Sequence, residues 1–247
     1  MGKNRSKHAN SLNGGNKPNL TLSIEARFHI AIDLFSTGNF DNAKILLNEI
    51  LVADPRHAES WFYSALIADN EGLHQDAIHN LGFALEIEPQ NLKYLYTIGD
   101  FYYGQNYLDQ GVKIFELIIS IKPEDYNGYY NLAGFLHKQK KYEQALLNYH
   151  KVLELHEDNI NAIYNIGAIL IDIKNYENAV QYFQRVIEDQ PNSDDALNNL
   201  GFLYLELNGV ESATECLNKA LSINPNNFNA LNNLGKAYEK NHYFRRQ

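Results

Sequence analysis

Apolar side chains return along this chain in paired short bursts, and the pairs keep a fixed spacing. Between Ile160 and Ile187, the residues Ile163, Ile166, Gly167 and Leu170 follow the i, i+3, i+4, i+7 rhythm of one helix face. A polar turn follows, and then Ala179, Phe183 and Val186 mark a second helix of the same kind. The pattern recurs every 34 residues, and proline makes the period visible: Pro55, Pro89, Pro123, Pro191 and Pro225 fall on one grid that only Glu157 interrupts. Numbering each unit so that this proline is position 32 starts the units at Ile24, Ala58, Leu92, Tyr126, Ile160, Asp194 and Phe228.

Further columns then come into register. Position 8 is always small (Ala31, Ala65, Gly99, Ala133, Gly167, Gly201, Gly235), and so is position 20, from Ala43 to Ala213 with Gly111 among them. Position 24 is large throughout: Leu47, Leu81, Phe115, Tyr149, Phe183 and Leu217. Small residues at fixed places mean that two backbones approach closely there, and the large residue opposite fills the remaining space. Ser23, Asn91, Asp125, Asn159, Ser193 and Asn227 precede six of the seven units; these types favour the N-cap, where the side chain accepts from free N–H groups of the first turn. His57 occupies that place before the second unit. Proline two residues earlier ends the preceding helix, and Gly38, Gly72, Asn106 and Asn208 supply turns between the paired helices. The expected fold is all-α.

Together these columns resemble the tetratricopeptide repeat, whose 34-residue helical hairpin also carries an aromatic residue early in its first helix. Trp61 stands there in the second unit, and Tyr102 and Tyr204 match a later aromatic position. The resemblance implies a right-handed superhelical solenoid of residues 24–247, with six full repeats and the first helix of a seventh, thirteen helices in all. Such an array buries its apolar faces repeat on repeat and is weakest at its ends. Residues 1–23 are rich in Asn, Gly, Ser and Lys and are expected to form a disordered basic tail.

Charge divides the chain in the same way. The formal net charge is −9, yet residues 1–24 hold Lys3, Arg5, Lys7 and Lys17 and no acid. The remainder sets 17 basic against 30 acidic residues, a balance that argues against a nucleic-acid partner. Cys216 is the single cysteine, so no internal disulfide can form. No secretory apolar run opens the chain and no stretch reaches 18 uninterrupted apolar residues, so no membrane association is expected and the default compartment is the cytoplasm.

On a helix advancing about 100° per residue, positions 2, 6, 9 and 13 of each unit face away from the packing side. The resemblance puts that face of the first helix on the concave groove of the superhelix. Position 6 reads His29, Tyr63, Thr97, Asn131, Asn165, Asn199 and Asn233, so four consecutive repeats carry asparagine. Asparagine is a mediocre helix former, and its amide offers a donor and an acceptor that match those of a peptide backbone. The column Asn131, Asn165, Asn199 and Asn233 resembles the asparagine ladder in the repeat domain of O-linked N-acetylglucosamine transferases, which holds substrate chains through their backbones. A solvated face in an asparagine-rich protein is the other reading. Position 5, on the flank, reads Phe28, Phe62, Tyr96, Tyr130 and Tyr164. These five aromatics are candidates for a groove wall, or for packing on the next repeat. Co-chaperone repeats of this fold clamp a terminal carboxylate with lysine at position 5 and asparagine at position 9. Lysine never stands at position 5 here, and position 9 is Ile32, Leu66, Asp100, Gly134, Ala168, Phe202 or Lys236, so that clamp is absent.

The nine histidines form no metal-binding spacing; His74 and His79 do not share a helix face. No glycine-rich phosphate loop and no nucleophile set with a base can be proposed, so no catalytic, metal or cofactor residue is expected in this chain. The expected role is a scaffold that takes a protein or an extended peptide in its groove. The alternative is the substrate-recruiting arm of a larger glycosyltransferase. Asn241 to Gln247 fall at positions 14 to 20 of the seventh repeat, so the sequence stops as a further helix should begin. This suggests a fragment, or a bare final helix through which the chain self-associates or another subunit caps it.

Overall fold

The computed structural model describes residues 22–244. Thirteen α-helices and no strand occur among them. The hairpins are α1 (Ile24–Ser36) with α2 (Phe40–Ala53), α3 (Ala58–Asn70) with α4 (His74–Ile87), and α5 (Leu92–Gly104) with α6 (Leu108–Ile121). They continue as α7 (Tyr126–Lys138) with α8 (Tyr142–Leu155), α9 (Ile160–Asp172) with α10 (Tyr176–Asp189), and α11 (Asp194–Glu206) with α12 (Val210–Ile223). Helix α13 (Phe228–Phe244) follows alone. All six hairpins pair a first helix of 13 residues with a second of 14, starting on the register of the sequence grid. The expected tail lies outside the described residues except for Leu22 and Ser23, which belong to the array: Arg27 Nε donates to the Leu22 carbonyl.

Capping explains where the first helices begin. A side chain accepts from the first turn at Ser23, Asn91, Asp125, Asn159, Ser193 and Asn227. His57 does the same with its ring, Nδ1 accepting from the Ser60 N–H at 3.2 Å, so the one non-standard residue in the column is also a cap. The turn into the second helix uses a left-handed residue at position 15, namely Gly38, Gly72, Asn106, Lys140, Lys174 and Asn208, with φ between 58° and 77°. Around it the Schellman bonds close, as in Gly38 N–H to Phe35 O and Asn39 N–H to Leu34 O.

The core has the form of the columns. Ala43, Ala77, Ala145, Ala179 and Ala213 have no exposed surface, nor have Leu47, Leu81, Phe115, Phe183 and Leu217. The glycines among them mark the tightest contacts. A Cβ added to Gly99 would stand 2.6 Å from the Phe115 ring, and one on Gly201 the same distance from Leu217. At Gly111 the gap is 2.0 Å to the ring of Phe135, which comes from the following repeat and fills the space that alanine takes elsewhere in the column.

Helix α13 departs from expectation. The first helices before it stop at position 13, but α13 runs 17 residues, through positions 14 to 17 to Phe244, and forms no turn there. Ending a helix gives up hydrogen bonds, and burial of a second helix offsets the loss; no second helix packs here among the described residues, so the helix propagates. Its outer face is bare: Leu231 is 47% and Tyr238 52% exposed, and nothing approaches Gly235 within 4 Å.

Candidate functional site: the face of the first helices

The first helices lie side by side, and hydrogen bonds join them at a separation of 35 residues. Asn165 Nδ2 donates to the Tyr130 hydroxyl at 3.0 Å, and Asn199 Nδ2 to the Tyr164 hydroxyl at 2.9 Å. Position 6 of one repeat is therefore held by position 5 of the repeat before it, and the two columns form one structure. Where position 5 changes to asparagine the bond persists in another form, Asn233 Nδ2 to Asn198 Oδ1 at 3.0 Å. One unit before Tyr130 and Asn165 the pair is not joined: the Tyr96 hydroxyl donates to Asp125 Oδ2 at 3.0 Å, and Asn131 Nδ2 donates to the Asn127 carbonyl of its own helix. Burial, and then the Asp125 carboxylate, push the Tyr96 phenol well above its ordinary range.

The aromatic column also packs inward. Tyr96, Tyr130 and Tyr164 each set a ring edge against position 24 of their own hairpin, at centroid distances of 5.7 Å to Phe115, 5.6 Å to Tyr149 and 5.3 Å to Phe183. Phe28 packs on His57 and Tyr63. Phe62 is 3% exposed, stacked on Tyr94 and covered by the Lys93 ammonium at 4.0 Å from its centroid. Asn233 is 7% exposed. For Phe62 and Asn233 the expectation of a side chain free to meet a ligand is therefore revised: repeat-to-repeat packing occupies both. Asn131, Asn165, Asn199, Tyr96, Tyr130 and Tyr164 are half-buried. The amides of Asn131 and Asn165 use Nδ2 internally, which leaves the carbonyl oxygen and a second N–H of each.

The surface is indented at the third to fifth repeats. A cavity of ≈ 350 Å³ opens between α5, α7, α8 and α9, with Asp100, Tyr103, Tyr130, Gly134, Tyr149 and Asn165 in its walls. Tyr130, Asn131 and Asn165 are among the residues expected from sequence on this face; Asp100, Gly134 and Tyr149 are not. The signal was the coincidence of glycine at position 9 with tyrosine at position 24 in a single repeat. Loss of water between the helices raises the Asp100 carboxyl above the ordinary carboxylate value. Away from this face, burial pushes the Cys216 thiol up, away from the reactive thiolate.

Fold and surface define a class: a solenoid of helical hairpins whose first helices lie side by side along one face. The tetratricopeptide repeat pattern is matched over residues 29–91, 92–125, 126–159, 161–193, 182–215 and 203–241, and the chain belongs to the tetratricopeptide-repeat family. The match extends to the repeat and not to the transferase branch that the asparagine column resembles. No curated protein matches the chain by sequence. Among solved structures it is similar to YrrB, a tetratricopeptide-repeat protein with an unusual peptide-binding site, at 24% identity and a TM-score of 0.61 over 75% of this chain and 96% of that one. It is also similar to PilF of Pseudomonas aeruginosa, at 19% identity and a TM-score of 0.67 over 86% of this chain and 97% of that one. PilW, a type IV pilus biogenesis factor, gives 16% identity and a TM-score of 0.68 over 85% and 97%. At these identities the likeness is one of fold. No helix of the described residues is long and apolar enough to cross a membrane.

Proposed function

We propose that this protein is a scaffold that binds an extended peptide or a disordered protein segment along the face of its first helices. The observation that carries this reading is the incomplete use of the asparagine amides. Asn131 and Asn165 are fixed by one bond each and keep a carbonyl oxygen for a ligand, which is the complement of a backbone N–H. Fixing the amide beforehand lowers the ordering cost of binding. Packed helices lie roughly 8–10 Å apart, so successive amides would meet about every third peptide unit of a chain advancing roughly 3.3–3.6 Å per residue. That YrrB is described as peptide-binding agrees with this reading. In a peptide array, affinity should rise with backbone length more than with sequence, and Asn165→Ala with Asn199→Ala should weaken it. Binding unchanged in that double variant would remove the ladder from the mechanism.

A second surface is favoured by the bare outer face of α13. Leu231 and Tyr238 stand where Leu197 and Tyr204 are covered by α12 one repeat earlier, and Phe228 is exposed with them. We infer that this face takes the same face of a second copy, which would bury both at once. Sedimentation should then show a concentration-dependent dimer that Leu231→Lys abolishes; a monomer across the accessible range rejects this pairing.

A further inference from the structure

The cavity under Gly134 differs from the rest of the face in one respect. Every other position-24 residue, Leu47, Leu81, Phe115, Phe183 and Leu217, is apolar. Tyr149 is the exception and is 2% exposed, so its hydroxyl is a polar group carried into the core. Burial, with lesser contributions from Tyr130 and Tyr103, raises its phenol well above the ordinary value, and no hydrogen bond contributes. A hydroxyl in such a place calls for a partner. This one is not sealed in: it lines the cavity, and it is the one atom within 4 Å of a Cβ built on Gly134. Ile32, Leu66 and Phe202 carry side chains at that position in other repeats. The glycine opens a shaft and the tyrosine puts a polar atom at its floor.

Acceptors are prominent among the remaining groups around the shaft. The Asp100 carboxylate lines the cavity from an exposed position and makes no side-chain hydrogen bond among the described residues. Asn131 and Asn165 each use one Nδ2 hydrogen internally and keep Oδ1 free as an acceptor. Two charged side chains, Asp100 and Lys138, line the cavity together with the His137 ring. Asp172 takes the His137 ring at 2.8 Å, and the Lys138 ammonium lies over the Tyr103 ring at 3.4 Å from its centroid. Asp100 and Lys138 thus balance in charge, and the Lys138 ammonium is engaged with an aromatic face while the Asp100 carboxylate is not paired with it. The walls beneath are the rings of Tyr103, Phe135 and Tyr149. Acceptors at the rim, aromatic faces below and a volume of ≈ 350 Å³, near the lower end of the roughly 300–1,000 Å³ typical of ligand sites, describe a place for one long, donor-rich side chain.

We propose that this cavity is the specificity pocket of the groove and takes the guanidinium of an arginine from the bound peptide, with Asp100 as its ion-pair partner and the Tyr149 hydroxyl as the acceptor at its floor. The inference rests on the reading of the face as a peptide groove. Arginine has five N–H donors in a planar fork and no acceptor, which suits a carboxylate, two amide oxygens and a phenol oxygen. Its stem and plane pack on aromatic faces. Lysine would offer a point charge without the fork. The acidic balance of the whole chain, −9, would draw such a peptide in.

The test uses the full chain and alanine-serine peptides of about twelve residues, which span roughly four helix spacings. Each carries arginine, citrulline, glutamate or alanine at its centre, and affinity is read by fluorescence anisotropy. Arginine should bind at least tenfold more tightly than citrulline or alanine. Asp100→Asn and Gly134→Leu should each erase the arginine preference, and Tyr149→Phe should reduce it several-fold. Leucine already occupies position 9 as Leu66, and a thermal melt checks the fold of each variant. If the alanine peptide binds as well as the arginine peptide, the pocket proposal is wrong and the groove reading stands. If no peptide binds, both are wrong. Preference for glutamate, or arginine preference that survives Asp100→Asn, also overturns the pocket.

Discussion

Asn199 donates its side-chain N–H to the Tyr164 hydroxyl at 2.9 Å, across the junction between two repeats. Asn165 and Tyr130 repeat the relationship one unit earlier. A residue that would serve a peptide ladder is thus first a fastener between first helices, and its position-5 partner sets the direction of the amide. Replacing the tyrosines separates the two roles. Tyr130→Phe and Tyr164→Phe leave every asparagine in place, remove its acceptor, and should each cost about 0.5–1.5 kcal/mol in urea unfolding. Peptide binding should weaken as well, because an amide no longer held must be ordered by the ligand. Unchanged stability would mean that the phenol and amide prefer water to each other.

The closest packing in the molecule makes a sharper case. A Cβ at Gly111 would fall 2.0 Å from the Phe135 ring, inside both van der Waals radii, and Phe135 is itself fully enclosed. Gly111→Ala should destabilise the array by about 1–3 kcal/mol, the range for overpacking a filled core. Gly134→Ala is the control on the next helix. It meets only the Tyr149 hydroxyl, at 3.8 Å, and should stabilise by up to about 1 kcal/mol through helix propensity. Urea midpoints of the two variants should therefore move in opposite directions.

Much of this was legible in the sequence because a repeat puts the same physical demand at the same place many times. Small residues at positions 8 and 20 face a large one at position 24, and the grid gives the start of every first helix. The proline column proved less necessary than it looked: α8 stops at Leu155, in register with its fellows, although Glu157 stands in the proline's place. What the columns could not give was the coupling between them. Nothing in the spacing of Tyr130 and Asn165 says that they bond, since position 5 was free to point at the groove or at the next repeat. The cavity escaped for a related reason. Gly134 and Tyr149 are each ordinary within their own columns, and only their meeting in one hairpin opens a shaft with a hydroxyl at its floor.

The left-handed turn residue gives a third test. Gly38 and Gly72 adopt φ near +77° without steric cost, whereas Lys140 and Lys174 are held at 59° and 61°. A lysine there carries backbone strain of order 1 kcal/mol. Lys140→Gly and Lys174→Gly should each stabilise by about 0.5–1 kcal/mol once the greater freedom of unfolded glycine is offset. The reverse change, Gly72→Ala, should cost about 1 kcal/mol from the backbone alone, because nothing lies within 4 Å of that Cβ. Thermal melts of the three variants would order them, and a neutral Lys140→Gly would mean that the turn relaxes freely.

Near the C-terminal end, Asp194 couples stability to pH. Its Oδ2 accepts from Asn227 Nδ2 at 2.9 Å and from Asn224 Nδ2 at 2.8 Å, which ties the start of α11 to the loop before α13. These bonds favour the charged carboxylate, Asn227 first and Asn224 second, and hold it below its ordinary value of 3.8. A group whose folded value is depressed contributes stability that is fully present above the unfolded value and is lost as pH falls through the folded one. The contribution is small, since the carboxylate is well hydrated, and it should vanish only in acid below the ordinary carboxylate range. Asp194→Asn keeps an oxygen acceptor for both donors and removes the proton equilibrium. The gap in urea midpoint between wild type and Asp194→Asn should therefore be constant from neutral pH to about pH 5 and narrow below about pH 4. Amide hydrogen exchange should place the change in α11 and α13, because stability in a repeat array is local to neighbouring units. A gap that is constant down to the lowest pH at which the chain stays folded would show that Asp194 titrates alike in the folded and unfolded chain.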